Sequence, residues 1–223
     1  MTTTKGNGIL MQKMMPVSSF LHLHLSVNGQ VELYQSDEER VEFEADENLI
    51  DYVTATNSGR TLYVTAEAGY RGLDFTSLKV KVYFRQLAKM YVRCEHGDVI
   101  SKTPISQSCP FEVKIQSGGN VILQVEVPAL KMLIQSHGDV ILRGKCIEAD
   151  IKTQAEGNLF ARELIAEDVR IRNMSEGNVE VMSNRTISIA HFGEGYVHYY
   201  GNGKLIDVNQ KGEGEIIHKR LIL

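Results

Sequence analysis

The amino-acid sequence predicts an all-β protein whose C-terminal part coils into a β-solenoid. Two observations carry that reading. The first is a recurring unit of a small residue, any residue, Gly, then Asp or Asn, then an aliphatic: EHGDV from Glu95, SGGNV from Ser117, SHGDV from Ser136, AEGNL from Ala155 and SEGNV from Ser175. Degenerate copies follow as GEGYV from Gly193 and GEGEI from Gly212. The central glycines Gly97, Gly119, Gly138, Gly157, Gly177, Gly195 and Gly214 are spaced by 22, 19, 19, 20, 18 and 19 residues. A period that regular, with no helical run inside it, marks about seven coils of 18–22 residues stacked as a solenoid. The second observation is a pair of apolar columns. Six residues before the glycines stand Tyr91, Val113, Met132, Ile151, Ile171, Ile189 and Val208; two after them stand Val99, Val121, Val140, Leu159, Val179, Val197 and Ile216. Coils stacked about 4.8 Å apart turn each column into a continuous interior ladder that a single repeat could not bury.

Taken from the N-terminus, residues 1–17 read as a flexible polar leader, ordered only if something ties it down. The domain proper is expected over 18–223 as one unit, with N-terminal strands over 18–88 and the repeat coils over 89–223. In the first part Leu21, Leu23, Leu25 and Val27 alternate with polar residues, as do Val41 and Phe43, and Leu78, Val80 and Val82, which is the period of half-buried strands. Turn signals at Asn28-Gly29, Asp46-Glu47-Asn48, Asn57-Ser58-Gly59 and Gly69 to Gly72 separate these runs. They read as irregular or antiparallel strands capping the open end of the solenoid, where unpaired edges need protection. In the repeats, Gly before Asn or Asp takes positive φ most cheaply, so Gly138, Gly157 and Gly177 are expected at equivalent corners with φ > 0.

The succession of a strand, an Asn-Gly turn, the stretch VELYQSDEERVEFEADENLIDYV (Val31 to Val53), a Gly-rich hairpin and tandem SxG[DN]V coils resembles the putative auto-transporter adhesin, head-GIN domain family. Gly6-Asn7-Gly8 is similar to that family's mature N-terminus, and the resemblance runs from about Phe20 to Gly214. It implies a right-handed parallel β-helix-like fold in exported or lipid-anchored envelope proteins, with no assigned activity and no site residues to carry over. The chain departs from the pattern where His96, Gly118 and His137 precede the motif glycine, and where Tyr196 and Glu215 replace Asn or Asp. An exported, periplasmic or cell-surface location follows from the resemblance. The first twenty residues lack the apolar stretch of a signal peptide, so a cytoplasmic location stays as the alternative. No run of about 18 apolar residues encodes a transmembrane helix.

Charge and motifs narrow the chemistry. With 24 basic and 28 acidic residues, a net charge of −4, the chain as a whole carries no electrostatic footprint for nucleic acid. Nucleophile elbows, HExxH, Walker and dinucleotide motifs do not occur, and no cofactor is expected. The favoured reading is a non-enzymatic envelope module, adhesin-like or scaffolding, whose partners are an envelope glycan or a surface protein. A polysaccharide-active enzyme on the same scaffold is the alternative. Three cysteines, Cys94, Cys109 and Cys146, lack metal or disulfide spacing. His22 and His24 share one strand face but read as its polar side, and His96 and His137 recur too far apart to share an ion. Glu156, Glu176, Glu194 and Glu213 occupy one motif position in four coils and are expected to form an acidic column with weak affinity for Ca²⁺. The ligand site is expected at Tyr196, His198 and Tyr200, which alternate outward if Val197 points inward.

Overall fold

The computed structural model describes residues 3–66 and 72–219. The turn expected at Gly69 to Gly72 lies, apart from Gly72, outside these residues. The N-terminal part consists of β1 (Thr3–Lys5), β2 (Leu10–Pro16), β3 (His22–Ser26), β4 (Gln30–Gln35), β5 (Arg40–Asp46), a single 3-10 turn (Ile50–Tyr52), β6 (Val53–Ser58), β7 (Thr61–Ala66), β8 (Gly72–Asp74) and β9 (Leu78–Phe84). The coils follow as β10 (Lys89–Cys94), β11 (Val99–Ser101), β12 (Ile105–Ser106), β13 (Phe111–Ser117), β14 (Val121–Ile134), β15 (Val140–Thr153), β16 (Leu159–Asn173), β17 (Val179–His191), β18 (Val197–Tyr200), β19 (Lys204–Gln210) and β20 (Ile216–His218). They are parallel stacked coils, and the seven corners from Gly97 to Gly214 delimit a β-solenoid of about six turns.

Both apolar columns exist as ladders. Val99, Val121, Val140, Leu159, Val179 and Val197 stand in strict register and are buried. In the other column Val113, Met132, Ile151, Ile171 and Ile189 do the same, but its first member is Met90 rather than Tyr91. The reason is local: Cys94 pairs with Ser117, so the first corner holds one residue more before its glycine, and Gly97 adopts φ +96° to accommodate it. Tyr91 consequently faces outward. Val208, expected inside, is 46% exposed because no described coil covers the far side of β19.

The motif glycines have a different cause from the expected one. Gly138, Gly157 and Gly177 are not among the glycines with positive φ. What they supply is space: a Cβ on Gly157 would run into the backbone carbonyl of Gly138, one on Gly177 into that of Gly157, and one on Gly138 into that of Gly119. The following Asp or Asn also acts between coils. Asp98 accepts the Asn120 amide proton at 2.9 Å, Asn120 that of Asp139 at 3.0 Å, and Asp139 that of Asn158 at 2.9 Å. Asn158 then accepts from Asn178, and Asn178 from Tyr196, each at 2.9 Å. The ladder stops there, because a tyrosine ring cannot bind the next amide in the same way.

The N-terminal strands are not simply a cap. β3 is parallel to both β7 and β10, and β4 to both β9 and β11, so the first coil of the chain is inserted between a later coil and the repeats. Capping falls to antiparallel pairs, β2 with β5, β5 with β9, and β6 with β7. The expected leader is tied into this cap: β1 pairs with β8, β2 pairs with β5 over seven positions, and Gly6-Asn7-Gly8 folds over Asp46. The buried Asp46 carboxylate accepts the amides of Gly8 and Thr76, each at 2.8 Å, and the Thr76 hydroxyl at 2.6 Å. Burial alone would raise its pKa, but these bonds outweigh it and hold the group below the ordinary carboxylate value.

Two outcomes follow from these contacts. Gly157→Ala, a change that usually stabilises when φ is ordinary, lowers stability by about 1–3 kcal/mol because the methyl meets backbone that cannot move aside; urea unfolding checks it. Asp46→Ala leaves the Gly8 and Thr76 donors without their acceptor and lowers stability by about 1–3 kcal/mol. Since the folded pKa is depressed, the carboxylate's contribution is complete above the ordinary aspartate range and is lost as pH falls through the folded value. Unfolding midpoints between pH 6 and pH 3 therefore fall more steeply for the wild type than for Asp46→Ala.

Candidate functional site

The strands that follow the motif corners present one outer row along the solenoid. In register it runs from Ile100 through Ile122, Ile141 and Phe160 to Glu180 and His198. Its first four members are half-buried apolar side chains on a face where alternation calls for polar ones. Their signal lay in the dipeptides Val99-Ile100, Val121-Ile122, Val140-Ile141 and Leu159-Phe160, where both residues are apolar. A groove of about 450 Å³ crosses the row, bounded by Ile141, Phe160, Glu180, Arg143, Arg162 and Glu163, with Arg143 bonded to Glu163 at 3.0 Å.

Tyr196 flanks His198 in this row, which passes on to the half-buried Ile217 of β20. Tyr196 is 48% exposed and its ring stacks on that of His198, with centroids 6.0 Å apart and planes 22° from parallel. Tyr200 does not join them. It is 8% exposed, with the Arg162 guanidinium 5.1 Å above its ring, and Tyr199 beside it is buried as well and stacks on His218 at 4.5 Å. Strict alternation fails because β18 is only four residues long and the chain turns at Gly201, where φ is +91°. The expected three-ring strip is thus a two-ring pair.

The remaining candidates are placed as follows. Glu156, Glu176, Glu194 and Glu213 are all exposed at successive corners, and Glu156 lies 3.4 Å from His137 Nε2. Among the described residues no group of three or more His, Cys, Asp or Glu side chains could hold a metal ion. His22 faces the Thr61 hydroxyl at 3.4 Å, and His24 packs between Tyr63 and Tyr91. Burial, then the Arg93 charge, lowers the His24 pKa. Cys94, Cys109 and Cys146 are free thiols, and burial pushes Cys146 up to about 12.

Sequence reasoning missed a polar chain inside the solenoid. In one inward column, Ile115 and Ile134 give way to Thr153, Asn173 and His191, all essentially without exposure. The Thr153 hydroxyl donates to Asn173 Oδ1 at 2.6 Å, the Asn173 amide lies 3.1 Å from His191 Nδ1, and His191 Nε2 lies 3.0 Å from the carbonyl of Gly214 in the last corner. All these bonds form at once only if the imidazole is neutral, with its proton on Nε2.

A family model described as "Putative auto-transporter adhesin, head GIN domain" matches residues 19–203. The chain belongs to this family. Solved structures share the fold of this head GIN domain. A putative adhesin from Bacteroides fragilis NCTC 9343 superposes with a TM-score of 0.91 at 20% identity, over 97% of this chain and 100% of the other. A putative lipid binding protein from Parabacteroides distasonis ATCC 8503 gives 0.74 at 20% identity, again over 97% and 100%. A putative adhesin from Parabacteroides merdae ATCC 43184 gives 0.64 at 21%, over the same shares. No curated protein matches the sequence.

The buried histidine makes the head GIN domain acid-sensitive at its C-terminal end. Burial lowers the His191 pKa, which the bond to Gly214 only partly offsets, so the folded state binds the proton later than the unfolded chain does. Its contribution is complete above about pH 6.5 and is lost progressively as pH falls below that. Urea midpoints at pH 7.5 and pH 5 differ for the wild type, and the difference shrinks in His191→Gln.

Proposed function

We propose that this domain is a non-enzymatic binding module of the cell envelope, exported to the periplasm or cell surface, that presents the outer face of its coils to an envelope glycan or surface protein. The family is adhesin-like, and solved proteins of the same fold are described as adhesins or as a lipid binding protein. No described helix is long and apolar enough to cross a membrane. None of the comparisons favours the polysaccharide-cleaving alternative.

The observation that carries the reading is the stack of the exposed Tyr196 ring on half-buried His198, two coils beyond Phe160 in the row that begins at Ile100. Aromatic rings with an apolar face and a polar tip suit stacking on sugars or packing on a protein, and a rigid strand holds them with little side-chain entropy left to lose. Tyr200 serves this site by supporting Arg162 from below rather than by touching a ligand.

The test is a Tyr196→Ala, His198→Ala double variant. It keeps the wild-type melting temperature within a few degrees and loses about tenfold or more of the retention that wild type shows on a glycan array or on immobilised outer-envelope extract. Equal retention by both proteins assigns the binding elsewhere on the surface.

A further inference from the structure

The strands that precede the motif corners carry a second outer row, unrelated to Tyr196 and His198. Tyr63, His24 and Tyr91 stand side by side on β7, β3 and β10, and the same register continues through Lys114 and Leu133 to Lys152 and Arg172. The ring centroids of His24 lie 5.2 Å from Tyr63 and 4.6 Å from Tyr91, and Lys114 Nζ sits 5.3 Å from the Tyr91 ring. Six inter-strand steps make the row roughly 29 Å long.

Its charge is out of keeping with the molecule. The neighbouring row on the same face is compensated, with Lys89 and Lys131 both reaching Glu112, at 3.1 and 3.9 Å. Among the described residues Lys114, Lys152 and Arg172 form no ion pair, although the whole chain is acidic at −4. Along the other flank Arg93 is followed by Gln116, Gln135 and Gln154, whose amides bond to one another at 3.1 and 3.2 Å. A line of rings, then of uncompensated cations, edged by amides that still offer donors and acceptors, is complementary to a linear polymer with ring faces, hydroxyls and regularly spaced anions.

We infer that this row binds a linear glycan bearing carboxylates, its sugar rings lying against Tyr63, His24 and Tyr91 and its carboxylates meeting Lys114, Lys152 and Arg172. The amide ladder then faces the hydroxyls. Nucleic acid fits less well, because duplex binding depends on many phosphate contacts and the net negative charge of the protein opposes it. The inference does not depend on the Tyr196–His198 reading, since the two rows lie on strands at opposite sides of the glycine corner.

Binding of immobilised full-length protein to polygalacturonate, to its fully methyl-esterified form and to oligo-dT, at 50 and 200 mM NaCl, tests it. Wild type is expected to prefer the free acid over the ester and over oligo-dT by about tenfold or more. Lys114→Gln, Lys152→Gln, Arg172→Gln combined loses that preference, and Tyr63→Ala with Tyr91→Ala weakens binding by a similar factor. Circular dichroism melts accompany each variant, and Lys114→Arg with Lys152→Arg, which preserves charge, retains binding. No polygalacturonate binding by wild type, unchanged binding by the charge-removing or the ring-removing variant, or equal binding of oligo-dT each overturns the assignment.

Discussion

The fold depends on how closely one backbone corner can lie on the next. Parallel strands must hydrogen-bond at a separation of about 4.8 Å, and at the corners that separation brings each motif glycine against the carbonyl of the glycine one coil earlier. Only a residue without Cβ fits there. Once the corners are seated, the aliphatic residue two positions later falls into register by itself, and the Asp or Asn between them reaches the amide of the following coil. Glycine, asparagine and valine in the motif thus answer three consequences of one spacing.

That spacing also governs what the interior can contain. A column position repeats in every coil, so a polar residue in one coil meets its own counterpart above and below. Thr153, Asn173 and His191 use this to form a bonded chain in place of isoleucines, and no buried side-chain N or O atom among the described residues lacks a hydrogen-bond partner. The chain runs toward the C-terminal coils, where apolar cover is thinnest, as the exposure of Ile206 and Val208 shows. A buried imidazole there ties the integrity of the last corner to proton concentration.

The outer faces follow the same arithmetic. Each strand position becomes a row along the axis, so short sequence accidents become long surfaces: Ile after Val gives one apolar row, and Lys, Lys and Arg in separate coils give a cationic one. A rigid solenoid holds such rows at fixed spacing without loops to position them, which is the physical basis for reading the domain as a surface that binds along its length rather than as a pocket that turns over substrate.

Much of this was legible in the sequence. The glycine period, the Val99-to-Val197 ladder and the all-β class are local repeats, and local repeats are visible without coordinates because every copy is subject to the same constraint. The outward face of Tyr196 and His198 followed from alternation beside Val197. Four features could be decided only by tertiary structure. The insertion of β3 and β4 between later strands joins segments far apart in the chain, for which no local pattern exists. The ordering of residues 3–16 depends on Asp46, some forty positions away, and polar composition alone read as a loose end. The burial of Tyr200 under Arg162, two coils away, and the need for glycine at Gly157, set by the Gly138 carbonyl one coil away, turned on residues across the stack. Sequence patterns report a residue's neighbours along the chain, and in a solenoid the neighbours that decide its conformation and exposure lie across the stack.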